Sequence, residues 1–256
     1  MLHHTVEGTG PDVVLLHGVG LDHRMWRRCT PALAAQHRVT AVDLRGHGAS
    51  PAALPGTRLD DLAADVVDVL DHVGARRVHL VGFSLGALVA GHLAARHPSR
   101  VATVSLVSSV ALRTEEEREA VLRRLEAARA DPAATAEAAV ERWFGTECRR
   151  REPELAEEIR QTLLANDHAS YLACYAVFAT GDAEVGPLLE HITAPALAVT
   201  GGEDPGSTPE MSRRLAAAVP DASVRIVPGA RHLLPLERPR ELTAALTDHF
   251  ERTSQS

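Results

Sequence analysis

Short apolar runs alternate along the chain with longer stretches in which apolar residues recur every three or four positions. Residues 13–17, 39–44, 78–82 and 101–107 are runs of the first kind, short enough to predict buried strands. Leu59, Leu62, Ala63, Val66, Val67, Leu70 and Val73 keep helical spacing, which predicts a helix ending at Gly74. A second helix is predicted over residues 85–96, stopped by Pro98. Buried strands separated by helices predict a parallel sheet covered on both faces. Residues 2–6 and 13–17 flank the turn-rich segment 7–12 and are expected to pair as an opening hairpin.

The pattern changes near residue 112. From there to about residue 190 the strand-like runs vanish, and alanine-rich, charged stretches predict helices over 115–130, 132–144, 153–166 and 169–180. Alternation resumes with strands at 195–200 and 224–227 and helices at 211–219 and 240–250. The expected organisation is a core of residues 1–111 and 191–256, interrupted by a helical cap over 112–190.

Composition narrows the classes. At 256 residues, with 45% apolar and 24% charged residues, the chain is long enough for one well-filled domain. A net charge of −7 argues against a broad grip on nucleic acid or an anionic membrane. No apolar run is long enough to span a bilayer, and residues 1–10 lack a signal peptide's basic and apolar regions, so a cytoplasmic location is expected. The chain has no lysine; its 27 basic residues other than histidine are all arginine. Cys29, Cys148 and Cys174 are odd in number and scattered, so reduced thiols are expected, not a disulfide frame or a zinc site. The pair His3-His4 shows no metal spacing with partners, and no metal or other cofactor is expected.

The candidate chemistry starts at Gly82-Phe83-Ser84-Leu85-Gly86, which lies between a predicted strand and a predicted helix. A serine on such a turn stands exposed at the strand's carboxyl end, and glycines two residues either side relieve the crowding. An alcohol is a poor nucleophile at neutral pH, so it needs a base, and the base needs a group that orients it. For a serine on this kind of elbow the partners follow in the order acid, then histidine. Asp204 ends the turn after the strand at 195–200, and His232 follows the strand at 224–227. Asp204 is preferred to its neighbour Glu203, because the shorter side chain just before a proline is the usual arrangement.

Two backbone donors are expected to form an oxyanion hole: the N–H of Leu85, just after the serine, and that of Val19, in the loop after an early strand. Gly18-x-Gly20 in that loop lacks the third glycine of a dinucleotide fingerprint. The turn 43–50 is expected to be structural, with Asp43 and Arg45 satisfying backbone groups and each other.

Together these residues resemble the α/β-hydrolase superfamily along essentially the whole chain. The matching segments are HGVG at 17–20, DLRGHGAS at 43–50, GFSLG at 82–86, GGEDP at 201–205 and GARH at 229–232. Within it the chain looks most like the 3-oxoadipate enol-lactonases, through LDHRMW at 21–26, ERWF at 141–144 and YLACYAVFATGD at 171–182. The resemblance implies an α/β-hydrolase fold, a mostly parallel sheet of the eight-stranded type with a helical lid. It also implies cofactor-free hydrolysis of a small lactone or carboxylic ester through Ser84, Asp204 and His232.

Perhydrolases and carbon–carbon bond hydrolases keep the same triad, and a ligand receptor on this scaffold is the non-enzyme alternative. Met25, Trp26, Phe83, Trp143 and Phe144 are candidate pocket residues. If the substrate is a carboxylate, Arg24 or Arg142 is a candidate partner, and nothing in the sequence chooses between them. The expected partner is thus a small ester or lactone; association into a homodimer is compatible with the sequence.

Overall fold

Alternating side chains along the strands feed two apolar layers, and the helices sort themselves between those layers. The computed structural model describes residues 1–253. In chain order the first half runs β1 (His4–Glu7), β2 (Asp12–Leu16), α1 (Thr30–Ala34), β3 (Arg38–Val42), α2 (Leu59–His72), β4 (Val78–Phe83), α3 (Leu85–Arg96) and β5 (Val101–Val107). Five helices follow: α4 (Glu115–Ala130), α5 (Pro132–Trp143), α6 (Thr146–Arg151), α7 (Pro153–Leu164) and α8 (His168–Val185). The chain then closes with β6 (Ala196–Gly201), α9 (Pro209–Ala218), β7 (Ala222–Val227), α10 (Leu234–Glu237) and α11 (Pro239–Phe250).

The sheet has seven strands among the described residues, in the order β1-β3-β2-β4-β5-β6-β7, one fewer than the eight-stranded type. Every pairing is parallel except that of β1 with β3. The expected hairpin is therefore absent. Apolar β2 is paired by β3 on one side and β4 on the other, so β1, whose Val6 and Glu7 are exposed, takes the sheet edge beside β3.

Leu80 and Leu106 face one layer, with Val14 and Leu16, and there α2, α3, α4 and α8 pack. Val81, Val107, Val13 and Leu15 face the other, where α5, α7 and α11 join. The helices between β5 and β6 thus continue both layers, and α6 is an addition to the predicted set. Its sequence buries only Cys148 and so carries no apolar period. No helix is long and apolar enough to cross a membrane among the described residues.

Helix α8 runs past Gly181 and Asp182, where a helix end was expected, because Asp182 is buried and paired. Arg113 Nη1 donates to its carboxylate at 2.8 Å and the Arg113 N–H at 3.2 Å, with both side chains 1% exposed. The same guanidinium donates to the Phe178 and Ala179 carbonyls and sits over the Phe178 ring. This pair ties the start of α4 to α8. Asp182→Ala strands the buried cation and should cost about 3–5 kcal/mol of unfolding free energy in a urea titration. The double replacement Arg113→Met with Asp182→Leu should recover most of that loss; no loss in the single variant would deny the pair this role.

Candidate active site

Register places the strand ends in one row. Leu16 of β2 lies beside Gly82 of β4, Phe83 beside Val107 of β5, and Gly201 of β6 beside Val227 of β7. Loops leaving these ends converge on one edge of the sheet, where open α/β sheets bind ligands. Ser84 leaves β4 with φ 53° and ψ −108°, a left-handed conformation that costs about 1–3 kcal/mol for a residue with a Cβ. The neighbouring glycines permit the turn. A Cβ on Gly82 would lie 2.1 Å from the Gly86 carbonyl oxygen, and one on Gly86 2.5 Å from that of Leu16. The Ser84 N–H is anchored on the Val107 carbonyl and the Gly86 N–H on that of His17, so β5 and the β2 loop hold the elbow from both sides.

The loop after β6 delivers Asp204, and the loop after β7 delivers His232. His232 Nδ1 lies 2.6 Å from Asp204 Oδ2. A carboxylate only accepts, so Nδ1 carries a proton, and in the neutral ring Nε2 keeps a free lone pair. Asp204 Oδ1 accepts from the N–H groups of Gly206 and Ser207, which fixes the carboxylate. His232 is held by its own backbone: its N–H donates to the Trp143 carbonyl, and Ser108 Oγ donates to its carbonyl. Its ring lies between Phe83, at 4.9 Å, and Trp143, stacked at 5.8 Å. Glu203 is exposed, so the geometry puts Asp204 and not Glu203 on the imidazole.

Two buried histidines brace the loop after β2. His17 Nε2 accepts from the Leu44 N–H while its Nδ1 faces the Gly18 carbonyl, and His47 Nε2 accepts from the Gly20 N–H. Both must be neutral to accept there. Burial lowers the pKa of His17 and pushes that of His47 down to about 3. The N–H groups of Val19 and Leu85, on either side of the elbow, find no protein acceptor among the described residues.

Val19, Ser84, Asp204 and His232 line one cavity. Its opposite wall comes from α4 (Arg124), α5 (Ala139, Arg142, Trp143) and α8 (Tyr171, Tyr175, Phe178). Four of the chain's eight aromatics are thus spent on this wall. The space between the walls is narrow, about 30 Å³. Neither Ser84 Oγ nor His232 Nε2 is hydrogen-bonded to another protein group among the described residues, and such contacts often tighten only when substrate is bound.

A model of the alpha/beta hydrolase family matches residues 13–246. The chain belongs to that family. It is 33% identical to 3-oxoadipate enol-lactonase 1 of Acinetobacter baylyi over 201 residues, 77% of this chain and 73% of the relative. It is 33% identical to a pimeloyl-[acyl-carrier protein] methyl ester esterase of Chromobacterium violaceum, over 95% of this chain and 96% of the relative. The solved enol-lactonase of Burkholderia xenovorans LB400 superposes with a TM-score of 0.86 at 32% identity, covering 97% of this chain and 95% of that one.

In this alpha/beta hydrolase, several side chains expected at the pocket lie elsewhere. Met25 and Trp26 are buried in the second apolar layer, because their short helical turn faces the sheet and not the cavity. Phe83 and Phe144 are also core residues and do not line the cavity, although Phe83 supports the His232 ring; Trp143 does line it. Arg24 is forked onto Asp22 and lines a separate groove of about 440 Å³ that contains none of Ser84, Asp204 or His232. Arg142 lines the cavity. Tyr171, Tyr175 and Phe178 went unpredicted, although their i, i+4, i+7 spacing marks one face of a helix.

The turn after β3 is tied differently from expectation. Arg45 forks onto Asp65 of α2, not onto Asp43. Asp43 instead accepts from the N–H groups of His23 and Ala49 and from the rings of His23 and His3. Burial pushes its carboxyl up, but these donors outweigh it and bring the group down to about 2. His3, His23 and Asp43 are the one set of three potential metal ligands drawn within 4.8 Å among the described residues, and the Asp43 oxygens are already saturated by four donors.

The buried neutral histidines give the hydrolase an acid-sensitive fold. Burial also holds His79 and His249 down to about 4. Below the unfolded value near 6.5, the unfolded chain binds protons that the folded chain refuses, so stability is full above pH 6.5 and falls toward pH 3–4. The slope is about 1.4 kcal/mol per pH unit for each such histidine. Urea midpoints measured from pH 8 to 4.5 should fall below pH 6.5, and His47→Gln should flatten the fall. A profile level down to pH 4.5 would contradict the neutral assignments.

Proposed function

We propose that the chain is a serine hydrolase of small carboxylic esters or lactones that works through an acyl-enzyme. The observation that carries this reading is a single one: the strained Ser84 elbow and the Asp204–His232 pair open onto the same cavity. In the proposed reaction His232 Nε2 takes the Ser84 hydroxyl proton as Oγ attacks the carbonyl carbon. Asp204 keeps the other ring nitrogen protonated and offsets the charge of the imidazolium. The carbonyl oxygen, now negative, accepts from the N–H groups of Val19 and Leu85, each worth about 2.7–4 kcal/mol at such a site. His232 returns the proton to the leaving oxygen, the acyl–oxygen bond breaks, and an activated water releases the acid. With a lactone the leaving oxygen stays tethered to the acyl group.

In this reading residues 112–190 form a lid whose helices must shift to admit substrate, and no cofactor takes part. Relatives named as an enol-lactonase and a methyl ester esterase support ester and lactone carbonyls as the target, with 3-oxoadipate enol-lactone the first substrate to test. The wild type should turn over this lactone, or members of a panel of simple lactones and short p-nitrophenyl esters. Ser84→Ala, folded by circular dichroism, should lose kcat by a factor on the order of 10⁶. Equal rates for wild type and variant would overturn the assignment.

A further inference from the structure

Arginine is usually matched in this chain. Arg24, Arg38, Arg45 and Arg113 each pair with an aspartate at hydrogen-bond distance. The two arginines of the cavity wall are not matched. Arg142 of α5 makes one hydrogen bond, from Nη1 to the Ala138 carbonyl of its own helix. The guanidinium of Arg124 on α4 has neither a hydrogen bond nor an ion pair to a protein group among the described residues. Both are half-buried and both line the cavity that holds Ser84 and His232. Burial lowers the pKa of Arg142, and the Arg124 cation pushes the same way.

Two like charges on a partly desolvated wall repel each other, and a fold gains nothing by keeping them unpaired unless something else supplies the anion. The one acid lining the cavity, Asp204, is already engaged by His232 and two backbone N–H groups. We propose that Arg124 and Arg142 seat a carboxylate carried by the substrate, so that half-esters and carboxylate-bearing lactones are preferred to neutral ones. This rests on the hydrolase reading of the same cavity. Guanidinium forks match a planar carboxylate in two parallel hydrogen bonds. Charge selects a carboxylate over a phosphomonoester. Two arginines against Asp204 leave one net positive charge, which a monoanion balances and a near-dianion overshoots. Tyr171, Tyr175 and Phe178 on α8 and Trp143 on α5 supply apolar walls for the carbon chain. The carboxylate then fixes the distance from its own seat to the carbonyl at Ser84.

Binding to the Ser84→Ala protein tests the seat without turnover. Monomethyl glutarate and monomethyl adipate are compared by calorimetry with methyl butyrate and methyl pentanoate. A charge-assisted pair predicts at least about tenfold tighter binding of the half-esters. Adding Arg124→Gln or Arg142→Gln should erase most of that preference, and the double replacement all of it. In the Ser84-containing enzyme the same replacements should lower the half-ester to neutral-ester ratio of kcat/KM, mainly through KM. Equal binding of charged and neutral esters, or a preference that survives the double replacement, would overturn the seat. If half-esters bind preferentially through both arginines but the wild type hydrolyses nothing, the seat stands and the hydrolase reading fails.

Discussion

The approach of the β4–α3 turn to the end of β2 is the constraint on which the rest of the site depends. Ser84 stands in a left-handed conformation because hydrogen bonds from β5 and from the β2 loop over-determine it, and because Gly82 and Gly86 have no Cβ to collide. With a few kcal/mol at most invested in the turn, the surrounding sheet must be stiff enough to hold it. Strand β4 is buried along its whole length at the centre of the sheet, with β2 and β5 paired on its two sides. That central place supplies the stiffness.

The other groups are placed by the same economy. Strand ends in register bring Asp204 and His232 to the elbow without any long connection, and backbone donors lock the acid. Neutral buried histidines act as acceptors beneath the β2 loop, where a charged one would be expelled. Opposite this rigid edge stands a wall from three helices, two of which, α4 and α8, are joined by the Arg113–Asp182 pair, and it is rich in aromatic rings and unpaired arginine. A rigid edge thus faces a narrow space lined by helices.

Much of this was legible in the sequence because the signals were local. The elbow glycines, the strand before Ser84 and the helix after it sit within a dozen residues, and α3 and β5 have the bounds their patterns predict. Non-local choices were hidden. Nothing within residues 2–17 reveals that β1 pairs with β3, because β2 gives up that side to strands arriving later. Met25 and Trp26 sit beside the loop after β2 in sequence but turn into the core. Arg124 was lost among the arginines of α4, although its place between the buried Val121 and Leu125 marks it as near the packed face. Asp182 looked like a helix end, and only its buried partner, 69 residues away, shows otherwise.

The central claim is that Ser84 is the nucleophile, and covalent capture tests it most directly. The protein is incubated with an alkyl p-nitrophenyl phosphonate, which reacts with an activated serine by losing p-nitrophenolate. Intact and peptide mass spectra then locate the adduct. The account predicts one equivalent of p-nitrophenolate and one adduct, on Ser84 alone. No adduct, or an adduct on another residue with Ser84 unmodified, would contradict it.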